Sequence, residues 1–362
     1  MKRYAYPSHF LPPLRGPRKI SDFWGALVGR VGVGLLLCLA LTGCRRGRAY
    51  FPRACGEMAP QHVEIVRFDS ALLADGQTAE GVRRLFADYP AFMPLFAEDI
   101  LGIAANDTAY LQEALPQFLN DTLYGFRQTN AREQEMFADV SDIQQSLDGA
   151  FTRLHHLYPD MPLPTIYLFI SGFNASIYFA GADIAVGADM YLGSDYEYYN
   201  RVVYDYQKQT MRKECIPADV VSAYLFRQLP FTSKKSRLLE QMLYRGKVLY
   251  LLSVLFPELP NYEVMGYTRE QWAWCEQHER AIWHLMMDKR DLFKTEPLVM
   301  SSYLNDGPFT AEVSQESPGR LGTWVGWRIA ESYMENHPEV SLQELMAEGD
   351  AQKILEESRY KP

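Results

Sequence analysis

Six histidines lie beyond residue 44, and their spacing limits what they can do. His155 and His156 are adjacent, and neighbouring side chains on a helix point about 100° apart, so both cannot ligate one metal without distortion. His284 and Asp288 stand one helical turn apart and could share a metal only with further donors. Such a polar i, i+4 pair is ordinarily a solvated face or a local hydrogen bond. Cys55, Cys215 and Cys275 show no C-x-x-C spacing, which argues against a zinc knuckle or a disulfide framework and for small buried apolar residues. The chain contains no H-E-x-x-H, no G-x-S-x-G, no Gly-Lys-Ser/Thr phosphate loop and no G-x-G-x-x-G. The familiar routes to zinc, serine, nucleotide and dinucleotide chemistry are therefore missing. Neither a metal nor a cofactor is expected.

Two stretches carry polar residues where simple packing would not place them. In the first, Ser171-Gly-Phe-Asn174 and Ala188-Asp-Met-Tyr-Leu-Gly193 interrupt apolar strands, which singles out Asn174 and Asp189. In the second, Ser317-Pro-Gly-Arg-Leu-Gly-Thr-Trp-Val-Gly-Trp327, Arg320 stands at the start of a Trp-rich helix. A cation there opposes the helix dipole and calls for a carboxylate or an anionic ligand. An internal ion pair with Asp189 is the favoured reading, and ligand binding is the alternative.

The elements that must position these residues follow from hydrophobic periodicity. Residues 63–68, 165–170, 176–179 and 183–187 alternate or are rich in β-branched and aromatic residues, punctuated by Gly172, Gly181, Gly187 and Gly193, and predict a small sheet. Helical patterns cover 78–87, much of 107–157, 218–229, 236–256, 269–290, 321–336 and 342–357. Thr268-Arg-Glu-Gln271 and Ser341-Leu-Gln-Glu344 match the capping box that opens a helix. In 269–290, Trp272, Cys275, Ile282 and Met286 share one face, which predicts core packing. The expected fold is α+β: a mostly helical single domain with a small mixed β-sheet.

The N-terminus reads differently. Basic residues up to Arg30 precede Val31-Gly-Val-Gly-Leu-Leu-Leu-Cys-Leu-Ala-Leu41. This run is too short for a membrane span of roughly 20 residues but suits an export signal. It ends in Leu41-Thr42-Gly43-Cys44, the pattern of a bacterial lipobox, in which the thiol is acylated after cleavage before it. Residues 1–43 are thus expected to be a signal peptide, 44–61 a lipidated linker, and 62–362 the globular domain. The full chain has a formal charge of −9. Removal of residues 1–43 takes away six basic residues and one acid, and leaves the remainder at −14. That balance repels phosphate backbones and anionic headgroups, so no nucleic-acid partner is expected and membrane attachment falls to the lipid on Cys44.

Several ordered segments carry a resemblance: the lipobox cysteine, Ser171-Gly-Phe-Asn174, Asp189-Met-Tyr-Leu-Gly193, Met242-Leu-Tyr-Arg-Gly-Lys-Val-Leu-Tyr250, Met265-Gly-Tyr-Thr268, Trp274-Cys-Glu-Gln-His-Glu279, Pro318-Gly-Arg-Leu-Gly322, Trp324-Val-Gly-Trp327 and Ser358-Arg-Tyr-Lys-Pro362. Over residues 62–362 the chain resembles the gliding-motility lipoprotein GldB family of the Bacteroidetes. The resemblance implies an envelope lipoprotein associated with gliding or related surface machinery and leaves its molecular role undefined; the favoured reading is a non-enzymatic component, expected at the outer membrane, that binds an envelope protein or glycan through its aromatic-rich surface. It does not imply that the organism glides.

The order of elements is also similar to that of gluzincin peptidases: strands, a helix after Pro217, then a helix containing Glu240 and Gly246. In those enzymes the first helix carries H-E-x-x-H and the second a Glu ligand. Here 218–228 holds no His, so Glu240 would lack partners for a tetrahedral zinc site. This resemblance implies a degenerate zincin-like scaffold without peptidase chemistry. A hydrolase with an unrecognised site on such a scaffold is the alternative function.

Each buried methylene of an acyl chain contributes about 0.8 kcal/mol, so a diacylglycerol plus an N-acyl chain on Cys44 makes detachment negligible. Cys44→Ala is expected to block processing or to move the chain from the detergent phase to the aqueous phase. Unchanged processing and partitioning would refute the anchor.

Overall fold

The computed structural model describes residues 50–51 and 58–362. The signal segment, Cys44 and Cys55 lie outside the described residues. The strands are β1 (Ile65–Arg67), β2 (Ile166–Phe169), β3 (Ile177–Ala180) and β4 (Asp183–Gly187). The helices are α1 (Phe68–Asp75), α2 (Ala79–Asp88), α3 (Met93–Leu95, running into a π-helical turn Phe96–Ile100), α4 (Thr108–Asn120), α5 (Phe126–Met136), α6 (Ser141–Leu157), α7 (Tyr199–Val202), α8 (Asp205–Lys208), α9 (Ile216–Gln228), α10 (Leu238–Leu255), α11 (Asn261–Met265), α12 (Arg269–Asp288), α13 (Pro297–Leu304), α14 (Leu321–Asn336), α15 (Leu342–Ala347) and α16 (Ala351–Ser358). The fold is α+β, mostly helical with a small mixed sheet, as the periodicity predicts.

The sheet order is β1-β2-β4-β3, with β1, β2 and β4 parallel and β3 antiparallel to β4. The inner strands are covered on both faces, which explains why they read as nearly unbroken apolar runs. On one face, Tyr167, Phe169 and Ala185 meet a cluster built from Phe68, Leu72, Leu85, Phe92 and Phe96 of the N-terminal helices. Phe92 stacks on Tyr167 at 4.5 Å between ring centres. Helix α9 packs against β3 and β4. Gly181 adopts a positive φ of 63° in the two-residue turn between β3 and β4, a conformation such hairpin turns require and that glycine adopts freely.

The C-terminal half is organised around the crossing of α10 and α14. Gly246 of α10 and Gly326 of α14 face each other without side chains. A Cβ on Gly326 would lie 2.0 Å from the Met242 carbonyl oxygen, and one on Gly246 would lie 2.1 Å from the Gly326 carbonyl carbon. Trp324 and Trp327 flank the contact, fully buried, and Trp272 of α12 meets both edge-on. Lys247, next to Gly246, is buried and donates from Nζ to the carbonyls of Leu345 (3.1 Å) and Glu348 (2.8 Å), which satisfies the C-terminal end of α15. Burial pushes its ammonium pKa down to about 8.

Both predicted capping boxes are present. Thr268 Oγ1 accepts from Gln271 N and Ser341 Oγ from Glu344 N. One predicted helix divides: 342–357 is α15 and α16, separated at 348–350, where Asp350 accepts from the amides of Gln352 and Lys353 and starts a new helix.

The glycine crossing yields a sign test. Alanine favours a helix over glycine by about 1 kcal/mol, so an unobstructed Gly→Ala on a helix should stabilise. Gly149 on α6, whose added Cβ would meet nothing closer than 3.6 Å, is expected to behave that way. Gly326→Ala is expected instead to lose about 1 to 3 kcal/mol in urea unfolding through overpacking. Equal stabilisation of both variants would refute the close crossing.

Candidate functional site

The loop after β2 and the turn after β4 come together as a single unit. Asp189, 1% exposed, accepts hydrogen bonds from Ser171 N (2.9 Å), Ser171 Oγ (3.0 Å) and Phe173 N (2.6 Å). Ser171 Oγ in turn accepts from Asn174 N, while Asn174 Nδ2 donates to the Ser171 carbonyl. Gly172 and Phe173 both have positive φ, 65° and 61°, and the loop turns the N–H groups of Ser171 and Phe173 inward to the carboxylate. Glycine explains the first; the second is a non-glycine residue held in an uncommon conformation by these bonds and by its ring contacts with Phe126 and Tyr199. Asn174 and Asp189 thus belong to one polar network.

Behind this loop lies a group of buried acids. Glu133 of α5 is fully buried and neither carboxylate oxygen has a hydrogen-bond partner among the described residues. Burial, then the charges of Asp189 and Asp69, hold its carboxyl well above the usual carboxylate range. Asp69 is taken by Arg67 Nη2 (2.7 Å) and Gln134 Nε2 (2.9 Å). Sequence reasoning missed Asp69 and Glu133, because single acids in amphipathic helices carry no signal that separates a buried one from a solvated one.

Arg320 does not pair with Asp189. Its Nε makes a 2.9 Å ion pair with Asp306, its Nη2 donates to the Met265 carbonyl at 2.6 Å, and its guanidinium lies over the Tyr267 ring. The physical reason is that the Asp189 carboxylate is already occupied by the 171–173 loop. The cation therefore joins the start of α14 to the 305–310 loop and to the end of α11, in a pair that is partly exposed rather than buried. Its own φ of 59° explains how it can sit just before the helix and reach sideways.

The remaining candidates are separate. Glu240, 4% exposed, accepts from its own cap residue Arg237 at N (3.2 Å) and Nε (3.0 Å), and so completes the first turn of α10. His156 is exposed and meets the Phe51 ring, whereas His155 turns toward Phe151, Leu154 and Tyr224. His284 and Asp288 are both exposed and share no hydrogen bond or ion pair. No group of three or more His, Cys, Asp or Glu that could hold a metal occurs among the described residues.

Beside Arg320 a cleft of about 260 Å³ opens between the 209–215 segment and α11 with its following turn. Gln209, Arg212 and Cys215 line one wall, Tyr262 and Glu263 the other, with Gly266 and Tyr267 between. Gln209 Nε2 donates to the Gly266 carbonyl at 2.8 Å and fixes the two walls together. Asp219, in the first turn of α9, lies next to Cys215 and accepts from Tyr191 Oη at 2.8 Å. Burial raises its pKa to about 6, opposed by the Tyr191 bond and by Arg320. Burial and Asp219 push the Cys215 thiol up to about 11, which leaves it protonated and unreactive at neutral pH.

A third feature is a surface of aromatic side chains around the 171–174 loop. Tyr124, 65% exposed, stacks on Phe126, which contacts Phe118 and Phe173, and Leu123 beside it is 75% exposed. The patch sits at the C-terminal end of β2. The chain enters the sheet at the opposite end, where Ile65 pairs with Ile166.

Asp219 supplies a pH test. Its folded pKa lies above the unfolded value near 3.9, so its contribution to stability is fully present below about pH 4 and is lost as pH rises through about 6. The loss is about 3 kcal/mol, and Asp219→Asn is expected to remove that slope from a pH series of urea midpoints. An unchanged slope between pH 4 and 6 would refute the assignment.

No curated protein and no solved structure matches the chain. One family does: the model of gliding motility protein GldB matches residues 55–362, most of the chain. With the segments around Asn174, Asp189, Gly246, Arg320 and Gly326 all inside the matched span, the chain belongs to the gliding motility protein GldB family.

Proposed function

We propose that the chain is a lipid-anchored, non-enzymatic component of the cell envelope, held at the outer membrane through Cys44, that binds an envelope protein or glycan in gliding or related surface machinery. Proteins of the GldB family are non-catalytic lipoproteins. No helix among the described residues is long and apolar enough to cross a membrane, and the proposed lipid supplies attachment without one.

The observation that carries the binding role is the aromatic patch of Leu123, Tyr124, Phe126, Phe118 and Phe173. Clustered aromatic rings at a protein surface supply large contact area with few rotatable bonds, the usual composition of a binding centre. The alternative of a hydrolase gains no support from the cleft, whose one thiol is held protonated and has no His on either wall.

The test is crosslinking in cells followed by purification of the anchored chain. The double variant Leu123→Ser, Tyr124→Ser is expected to lose its crosslinked envelope partner while its urea midpoint stays within about 0.5 kcal/mol per site of the wild type, because both side chains are exposed. Recovery of the same partner in undiminished amount would refute the patch as the binding face.

A further inference from the structure

The cleft beside α11 holds two opposite charges that do not neutralise each other. Arg212 is half-buried and its Nε donates to the Gln209 carbonyl at 3.0 Å, which orients the guanidinium and leaves both Nη groups without a hydrogen bond or ion pair among the described residues. Glu263 is half-buried on the facing wall, and its carboxylate likewise has neither. The two form no ion pair with each other, yet both act on the Cys215 thiol between them, Arg212 lowering its pKa and Glu263 raising it. Both charges are therefore within electrostatic reach of the same cavity. Elsewhere in the domain comparable half-buried cations are paired, as with Arg67 to Asp69 and Arg328 to Glu279.

We propose that this cleft binds a small zwitterion of amino-acid or dipeptide size, its carboxylate on the Arg212 fork and its ammonium on Glu263. A guanidinium with two free Nη groups matches a carboxylate by two parallel bonds. The facing carboxylate then accepts the ammonium, so a ligand carrying both charges satisfies each wall where a singly charged one leaves a half-desolvated charge unpaired. The volume of about 260 Å³ fits a few heavy atoms beyond the two charged groups and excludes a folded partner or a long glycan. The bond from Gln209 to Gly266 sets the distance between the walls before the ligand arrives. The thiol of Cys215 forms part of the lining and takes no chemical part, so the site retains its ligand unchanged. This site is separate from the aromatic patch, and its test is independent of that reading.

Isothermal titration of the purified chain in detergent with alanyl-alanine, N-acetyl-alanyl-alanine, alanyl-alanine amide and free alanine decides the matter. Alanyl-alanine or alanine is expected to bind with a dissociation constant of about 1 mM or below, and blocking either charge is expected to weaken binding about tenfold or more. Tighter binding of the dipeptide than of alanine would identify a peptide as the source, and the reverse a free amino acid. Arg212→Met and Glu263→Gln are each expected to reduce zwitterion binding by a similar factor with an unchanged melting temperature, and Gln209→Ala offers a second route by releasing the walls. Equal binding of the blocked and unblocked dipeptides, or no heat from either zwitterion up to about 10 mM, would overturn the proposal.

Discussion

The contact on which the C-terminal half depends is the crossing of α10 and α14 at Gly246 and Gly326, where the two backbones approach until no Cβ fits. Helices packed through ordinary side chains stand 8 to 10 Å apart, and removing the side chains at the crossing allows a closer seat. Each neighbouring feature follows from it. Trp324 and Trp327 can reach across to Trp272 because α14 is drawn in, and Lys247, one residue from the contact, is carried into the interior, where only the free carbonyls ending α15 can receive its ammonium. The start of α14 is fixed as well, and with it Arg320, whose bonds to Asp306 and the Met265 carbonyl hold the end of α11 and hence one wall of the cleft.

The N-terminal half is held by a different principle, the satisfaction of buried carboxylates. Asp189 is stabilised by backbone N–H groups and Asp69 by Arg67, while burial holds the Glu133 carboxyl well above the usual carboxylate range. Arg67 pairs directly with Asp69 alone among these three acids, and burial beside Asp189 and Asp69 favours the protonated form of Glu133. Asp219 in the cleft region follows the same pattern more mildly, with Tyr191 as its partner.

Much of the fold was legible in the sequence because it rests on local periodicity. The four strands, the capped starts at Thr268 and Ser341, and the buried face formed by Cys275, Ile282 and Met286 lie where the pattern puts them. The grouping of Asn174 with Asp189 was also legible, since a polar pair interrupting apolar strands must find partners. The partner of Arg320 was not. Asp189 and Asp306 are equally acidic in sequence, and only the positive φ at Gly172 and Phe173, which turns two amides onto Asp189, decides which is available. The glycine crossing escaped for a similar reason: Gly246 and Gly326 stand in the recognisable family segments, yet a glycine inside a helix does not say which distant backbone it faces. The cleft is assembled from 209–215 and 262–267, joined by tertiary packing alone.

The loop at 171–174 would ordinarily be classed as a surface connection, but five hydrogen bonds among Ser171, Phe173, Asn174 and Asp189 leave it little freedom. An ordering side chain loses about 0.5 to 1.5 kcal/mol of conformational entropy when a complex forms, and Phe173 has already given up most of that on folding. A molecule arriving at the aromatic face therefore meets a surface close to its bound shape. Association there is governed by encounter rather than by loop rearrangement.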